Sequence, residues 1–312
     1  MELPVLFATK PYAYLAARLL AAAPQQLSAG QLYIRDFPDG EHYHRIDTNV
    51  RGRHVWVLGG TIDDAATMEL FDIAQGCVQY GALSLTIILP YFGYSTMERS
   101  VQAGEIVKAK NRALLFSSIP RTPWGNRIIL FDLHAEGIPY YFDSDVQSHH
   151  IHCEELTSQI ARELAGNTNF VLAATDAGRA KWVESMANHM GVRGAFIYKR
   201  RHSATETEVL AVNANVQGSH VIIYDDMIRT GGSLLEAAKA YRQEGAAQIS
   251  VITTHGLFTN NALEKIAASN LVNAVVSLDT HPNATLLQHP ILKVHSVAPL
   301  IINRLLHEEH TN

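Results

Sequence analysis

Apolar runs of strand length alternate with helical patterns along the chain, and that alternation leaves few ways to fold it. "HVWVLGG" (His54–Gly60) is followed by a helical segment from Asp63 to Tyr80 carrying Met68, Leu70, Phe71 and Ile73, then by "LSLTIILPYFGY", a strand ending in a loop. The theme continues with a helix over Ala109–Ile119, the strand "RIILFDLH", a helix over Glu154–Leu164, the strand "FVLAATDAG", a helix over Ala180–Met190 and the strand "GAFIYKRR". "HVIIYDD", a helix over Leu234–Gln243, "QISVITTHG" and a helix over Ala262–Ala268 complete it. Strands that are continuously apolar belong to parallel sheets covered on both faces. The repeated βα order predicts an α/β fold built of open parallel sheets flanked by helices.

A chain of 312 residues, 47% hydrophobic, can bury more than one core, and the repetition suggests two similar units in tandem. The division is placed within Ser144–Glu154, where "SDVQSHHIH" is a polar interval without a Pro/Gly-rich linker. The expected domains are 1–148 and 149–295, with residues 296–312 packing back on the first. At its start, "MELPVLFATKPYAYLAARLLAAAP" reads as a short strand and an amphipathic helix, because Arg18 interrupts the apolar stretch from Tyr12 to Ala23; no signal peptide is expected. No run is apolar for long enough to span a bilayer, so no membrane partner is expected.

A formal charge of −5 provides no global field for nucleic acid, and the 16 His residues make that charge sensitive to mild acid. The only cysteines, Cys77 and Cys153, exclude a disulfide framework and fit a reducing, cytoplasmic compartment.

In open α/β sheets ligands bind beyond the carboxyl ends of the strands. That rule gathers Tyr91–Arg99, Asp132 and His134, Asp176–Arg179, Lys199–Arg201, Asp225–Ser233 and His255. The richest of these stretches is "VIIYDDMIRTGGSLLEAAKAYRQEGA" (Val221–Ala246), a strand handing over to a helix. Thr230, Gly231, Gly232 and Ser233 can point backbone N–H groups and hydroxyls at a phosphate, with the helix dipole adding attraction. Asp225 and Asp226 repel a phosphate but can hold the hydroxyls of a sugar attached to it, or orient water around Mg²⁺. Together they describe a pentose phosphate. Alone, "DD…TGG" is also an ordinary strand–turn–helix connection, though it is neither a Walker loop nor a dinucleotide turn.

"VIIYDDMIRTGGS" resembles the ribose-phosphate binding signature of the type I phosphoribosyltransferases. "RDFPDGEHYHRI" (Arg35–Ile46), "ILPYFGY" (Ile88–Tyr94), "LFDLHAEGIPYYFD" (Leu130–Asp143), "ATDAGRAK" (Ala174–Lys181) and "IYKRR" (Ile197–Arg201) resemble, in order and spacing, the ribose-phosphate diphosphokinase family, also called phosphoribosyl pyrophosphate synthetases. The similarity runs through nearly the whole chain. It implies two tandem domains of type I phosphoribosyltransferase-like fold and a Mg²⁺-dependent transfer of the diphosphoryl group of ATP to the C1 hydroxyl of ribose 5-phosphate.

The resemblance implies roles residue by residue. Lys199 and Arg201 match the catalytic cations of the family's flexible loop, here followed by "HSATETEVL"; read blandly, "KRR" is a solvated basic cluster. His134 matches a histidine near Mg-ATP, and Asp176 an acid that holds Mg²⁺ or ribose; as a helix-capping Asp it would look much the same. Phe37, Asp39 and Glu41 match a nucleotide-binding loop that the family draws from a neighbouring subunit, implying a homo-oligomer with the ATP site at a subunit interface. "FPDGE" is equally a β-turn between two strands. Asp225, Asp226, Arg229, Thr230, Gly231, Gly232 and Ser233 match the ribose 5-phosphate loop.

Two departures stand out. The common form of the family reads Tyr-Ala-Arg-Gln-Asp-Arg after "PYFGY", whereas this chain has Tyr94, Ser95, Thr96, Met97, Glu98 and Arg99. Glu98 and Arg99 keep the place of the ATP-contacting segment without its Arg-Gln pair. "STMER", with "THGLF" at Thr254–Phe258, looks like the plant-type second class, described as less dependent on phosphate and looser in its nucleoside triphosphate donor. Arg229 replaces the third acid of the usual "DDxxDT". Two other readings use the same residues: a transferase that consumes phosphoribosyl pyrophosphate, and a non-catalytic partner that regulates a synthetase.

Overall fold

The computed structural model describes residues 2–143, 145–166, 168–201 and 207–307, excluding the side chains of 199–201, 207–211 and 307. Two compact units make up the chain. One holds the residues up to His152 together with those from Val297 onward, and the other runs from Cys153 to Ser296.

The first unit contains β1 (Val5–Ala8), α1 (Ala13–Ala22), β2 (Ser28–Ala29), β3 (Leu32–Asp36), β4 (His42–Ile46), β5 (His54–Leu58), α2 (Asp64–Gln79), β6 (Ser84–Leu89), α3 (Lys108–Ser117), β7 (Asn126–Phe131) and β8 (Val146–Ile151). Six strands form a parallel sheet in the order β2-β1-β5-β6-β7-β8, and β3 pairs with β4 as a separate antiparallel hairpin. The central strands are apolar at nearly every position because helices cover both faces: Val55–Leu58 and Leu85–Leu89 are buried throughout, with Thr86 the polar exception. Asp63 caps α2, accepting from Ala66 N at 2.7 Å, which satisfies one of the N–H groups that a helix start leaves over. Val5, Val57, Leu70, Ile87, Phe116 and Leu130 lie at the heart of this core.

The second unit begins with α4 (Glu154–Ala165) and continues through β9 (Phe170–Ala174), α5 (Ala180–Met190), β10 (Arg193–Ala195), β11 (Ile197–Arg201), β12 (Thr207–Val212), β13 (His220–Ile228), α6 (Gly232–Gln243), β14 (Gln248–Gly256), α7 (Ala262–Ala268), β15 (Ala274–Leu278), α8 (Pro282–Leu286) and β16 (Leu292–His295). Its six parallel strands run β10-β9-β13-β14-β15-β16, and β11 and β12 form the antiparallel pair. Val171, Val221, Ile223, Tyr241, Val251 and Val275 belong to its core. The last helix, α9 (Ala298–His307), packs on α1 of the first unit.

Each sheet therefore has the same plan: the second strand lies outside the first, the remaining strands add on the other side, and a hairpin follows the second strand. The strand order reverses between β1 and β5 in one unit and between β9 and β13 in the other, which are the places where such sheets open a crevice for ligands. The two sheets and their helices have the α/β architecture expected from the alternation.

The interval "SDVQSHHIH" differs from its reading as a mere polar spacer, because Val146–Ile151 is a full strand at the edge of the first sheet. An edge strand is only half covered, so alternation with polar residues replaces the continuous apolar run: Val146 and Ile151 are buried and Gln147 and His149 exposed.

Candidate functional site

The sharpest construction lies at the strand-order reversal of the second unit. β13 ends in Asp225, Asp226, Met227 and Ile228, and the chain then turns through Arg229 and Thr230 into α6. Gly231 sits at φ 78°, a left-handed conformation costly for any residue with a Cβ, and a Cβ there would also press on Ile266 at 3.3 Å. That turn sets the first N–H groups of α6 at the surface beside exposed Thr230, Gly232 and Ser233. An exposed helix start of this kind can receive an anion. Arg229 is exposed beside them.

The two acids are held differently. Asp226 is 2% exposed and takes both arms of Arg179, from Nε to Oδ1 at 3.2 Å and from Nη2 to Oδ2 at 2.7 Å. Asp225 is only partly buried and accepts the Thr175 hydroxyl at 3.2 Å. Burial, and after it the neighbouring Asp226, pushes the Asp225 carboxyl well above its ordinary range. Burial, the largest single influence, acts to lower Arg179, but Asp226, Tyr224 and Asp225 together raise it, so it stays a cation. Asp176 lies one turn away at the end of β9, its Oδ1 accepting from Gly178 N at 2.8 Å. Below the acids, Trp182 of α5 stacks on Tyr224 at 4.1 Å, and the Tyr224 hydroxyl bonds to that of Thr254 at 3.0 Å. His255 is buried and bonded to Thr280 at 2.8 Å, which makes it part of the scaffold.

At the carboxyl end of the first sheet, Asp132 and Tyr94 both adopt left-handed conformations, at φ 35° and 62°. Such strain in non-glycine residues gathers at functional sites. Tyr94 donates to Asp64 at 2.8 Å, and its ring lies under Lys108 and Arg112 at 4.7 and 5.0 Å. Arg112 also pairs with Asp64. His134 is exposed two residues beyond Asp132. Glu98 and Arg99 pair with each other at 3.4 Å, Arg99 almost wholly exposed. Phe37, Asp39 and Glu41 form the tip of the β3–β4 hairpin, closed by Phe37 N to Glu41 O at 2.8 Å, with Arg35 over the Phe37 ring at 5.0 Å.

Asp132, His150 and His152 each offer a ligand atom within 4.8 Å of the others. Two imidazoles and one carboxylate suit a borderline metal ion better than Mg²⁺, which takes oxygen. His150 is moreover committed: its Nε2 accepts from Leu133 N at 2.9 Å while Nδ1 faces Glu136 at 3.1 Å. Burial, then His152, lowers its basicity, and its Nε2 lone pair is already in use by Leu133 N. The half-buried carboxylate of Asp176 fits the hard ion better. The backbone of Lys199 and Arg201 lies in β11, but their side chains, and the segment 202–206, are outside the described residues.

Arg179 was gathered only as part of the Asp176–Arg179 turn, without its pairing to Asp226, and Trp182, His150 and His152 were not singled out by the sequence. Arg179 is 47 residues from its partner, and only the pairing of β9 with β13 brings them together.

Residues 5–119 match the N-terminal domain of ribose phosphate pyrophosphokinase, and residues 144–274 a phosphoribosyl transferase domain. The chain is 31% identical to a ribose-phosphate pyrophosphokinase of Helicobacter hepaticus over 92% of its own length and 91% of the relative's. It is 30% identical to one of Synechococcus elongatus, over 91% and 85%. A crystal structure of phosphoribosylpyrophosphate synthetase from Mycobacterium smegmatis matches with a TM-score of 0.87 at 28% identity, covering 99% of this chain and all of that one. No helix among the described residues is long and apolar enough to cross a membrane. The duplicated sheet plan, the glycine turn after two acids and these likenesses over nearly the full length agree: the chain belongs to the ribose-phosphate pyrophosphokinase family.

Proposed function

We propose that the chain transfers the β,γ-diphosphoryl group of ATP to the C1 hydroxyl of ribose 5-phosphate, by direct in-line attack on the β-phosphorus, giving phosphoribosyl pyrophosphate and AMP. The observation that carries this reading is the Asp225–Ser233 turn, where two acids, a glycine in the left-handed conformation and an exposed helix start follow one another within a single connection. Such chemistry needs positioning and charge neutralisation, with no covalent enzyme intermediate.

Thr230, Gly231, Gly232 and Ser233 hold the 5-phosphate through N–H groups and hydroxyls, with Arg229 adding charge beside them. Asp225 and Asp226 receive the ribose hydroxyls. Lys199 and Arg201 neutralise the charge that develops on the transferring group. His134, Glu98 and Arg99 contact the donor. Asp176 would offer Mg²⁺ a carboxylate oxygen, and the ion would supply charge neutralisation at the donor phosphates. The exposed hairpin tip of Phe37, Asp39 and Glu41 is offered to the nucleotide of a second copy in a homo-oligomer. The absence of an Arg-Gln pair at Thr96–Met97 supports a loose choice of nucleoside triphosphate.

The test is to incubate the purified chain with ribose 5-phosphate, Mg²⁺ and ATP, with and without inorganic phosphate, and follow AMP and phosphoribosyl pyrophosphate by chromatography. Equal amounts of both products are expected without phosphate. No product from ATP or any other nucleoside triphosphate would overturn the reading.

A further inference from the structure

Lys108 is a half-buried cation that the chain itself leaves without a counter-charge. Its ammonium lies 4.7 Å from the centre of the Tyr94 ring, and among the described residues it enters no ion pair. We propose that Lys108 is a further substrate-binding residue, whose ammonium takes a phosphate oxygen of the nucleoside triphosphate donor and so recognises the triphosphate without regard to the base. This rests on the donor site assigned above to Glu98 and Arg99.

Helix stability does not account for the residue. Lys108 opens α3, where the backbone dipole disfavours positive charge, and the first turn holds no acid to offset it. One turn on, Arg112 brings a second cation to the same ring at 5.0 Å, and like charges at that helical spacing repel. Among the described residues, Asp64 is the one acid in contact with Arg112, and it also accepts the Tyr94 hydroxyl at 2.8 Å. The acids of the neighbouring loop are committed elsewhere: Glu105 accepts from Val101 N and Gln102 N at 2.6 and 3.0 Å, and Glu98 pairs with Arg99 at 3.4 Å. Two cations and one acid leave a positive charge over.

The placement directs that charge to the donor. Met97 N donates to Tyr94 O at 2.8 Å, and Met97 O accepts from Ala109 N at 3.4 Å, so the turn that leads into Glu98 and Arg99 is tied to the residue after Lys108. Tyr94, at φ 62°, fixes both that turn and the ring on which the ammonium rests. Thr96 and Met97 bring no charge of their own, and Lys108 supplies one beside them. An ammonium is a compact point charge that binds a phosphate oxygen without reading the base attached to it.

The test titrates ATP, GTP and ribose 5-phosphate separately into the full chain with Mg²⁺ by calorimetry, at low and high KCl. Lys108→Gln is expected to weaken ATP and GTP by the same factor, about tenfold, and to leave ribose 5-phosphate unchanged. It should also make ATP affinity less sensitive to salt. Lys108→Arg should keep the affinity for both triphosphates. Adding Thr96→Arg to Lys108→Gln should return part of it, as restoring a charge does and as a lost brace on Tyr94 does not explain. In wild type, saturating ATP or GTP should slow acetylation of Lys108 by acetic anhydride, read by mass spectrometry, and ribose 5-phosphate should not. Absence of that protection would overturn the proposal even if Lys108→Gln does not fold. Equal ATP affinity in wild type and folded Lys108→Gln would overturn it too, as would a loss confined to ATP. Activation by inorganic phosphate that disappears in Lys108→Gln while ATP affinity holds would move the cation to an effector site, again overturning it. A wild-type chain that binds neither triphosphate would overturn the donor-site reading and the proposal with it.

Discussion

The indole of Trp182 lies almost parallel to the ring of Tyr224, with centroids 4.1 Å apart and planes 21° apart. Tyr224 immediately precedes the two acids of β13, so the stack braces the end of the strand from which they project. Trp182→Ala should cost about 2–3 kcal/mol of stability. It should also weaken ribose 5-phosphate while leaving ATP nearly unchanged. Urea unfolding and separate titrations of the two substrates check this; equal losses for both would remove the brace from the sugar site.

Lys199→Ala should reduce turnover about 10²–10³-fold or more, as removal of a group that neutralises developing charge does. Ribose 5-phosphate binding should stay almost intact. Single-turnover kinetics set against calorimetry separates these two quantities, and a variant of ordinary turnover would take Lys199 out of the mechanism.

Gly231→Ala places a Cβ at φ 78° and 3.3 Å from Ile266. The strain should cost about 1–3 kcal/mol. Because the same turn presents the start of α6, the 5-phosphate should be lost with it: ribose 5-phosphate is expected to weaken more than ribose. A variant that keeps its preference for the phosphorylated sugar would contradict this.

Burial, then Asp226, raises the Asp225 carboxyl well above the ordinary value of 3.8, at which an unfolded chain would release its proton. The native state thus binds more protons in the window above 3.8, and this contribution to stability is lost as pH rises through the raised native value. Asp225→Asn should flatten that part of the stability profile and weaken ribose 5-phosphate more than ATP. Urea midpoints across the acid range decide the first point, and a slope that persists in the variant would assign it elsewhere.

His281 shows the opposite linkage. Burial first, and His255 second, hold it down to about 4, and its Nδ1 accepts from Asn283 N at 3.2 Å, which requires the neutral ring. Between 6.5 and about 4 the unfolded chain binds the proton and the native chain does not, so stability falls as pH drops through that window. The loss should approach ~3 kcal/mol, and His281→Gln should make the fall shallower. Thermal melts at pH 7 and pH 4.5 measure it.

The interior strands were legible because being covered on both faces leaves a continuous apolar run, as in Val221–Tyr224 and Val55–Leu58. The turn after Asp226 was legible for a related reason: only glycine settles easily at the angle of Gly231, so backbone demand surfaces as residue type. The edge strand with His149 and His150 was not, since half-exposure removes the apolar signature. Nor was the grip of Arg179 on Asp226, because nothing local in "DAGRAK" records a partner 47 residues away. Strand pairing creates that contact, and a chain read from neighbour to neighbour does not contain it.

The last helix has a consequence for synthesis. Val297, Ala298, Ile301 and Leu305 are buried, and α9 packs on α1, so the first unit is completed by residues made after the whole of the second. On the ribosome the second unit, one uninterrupted segment, can close while the first still waits for its final piece. A chain stopped before Val297 would leave the earlier-made half unfinished and the later-made half whole.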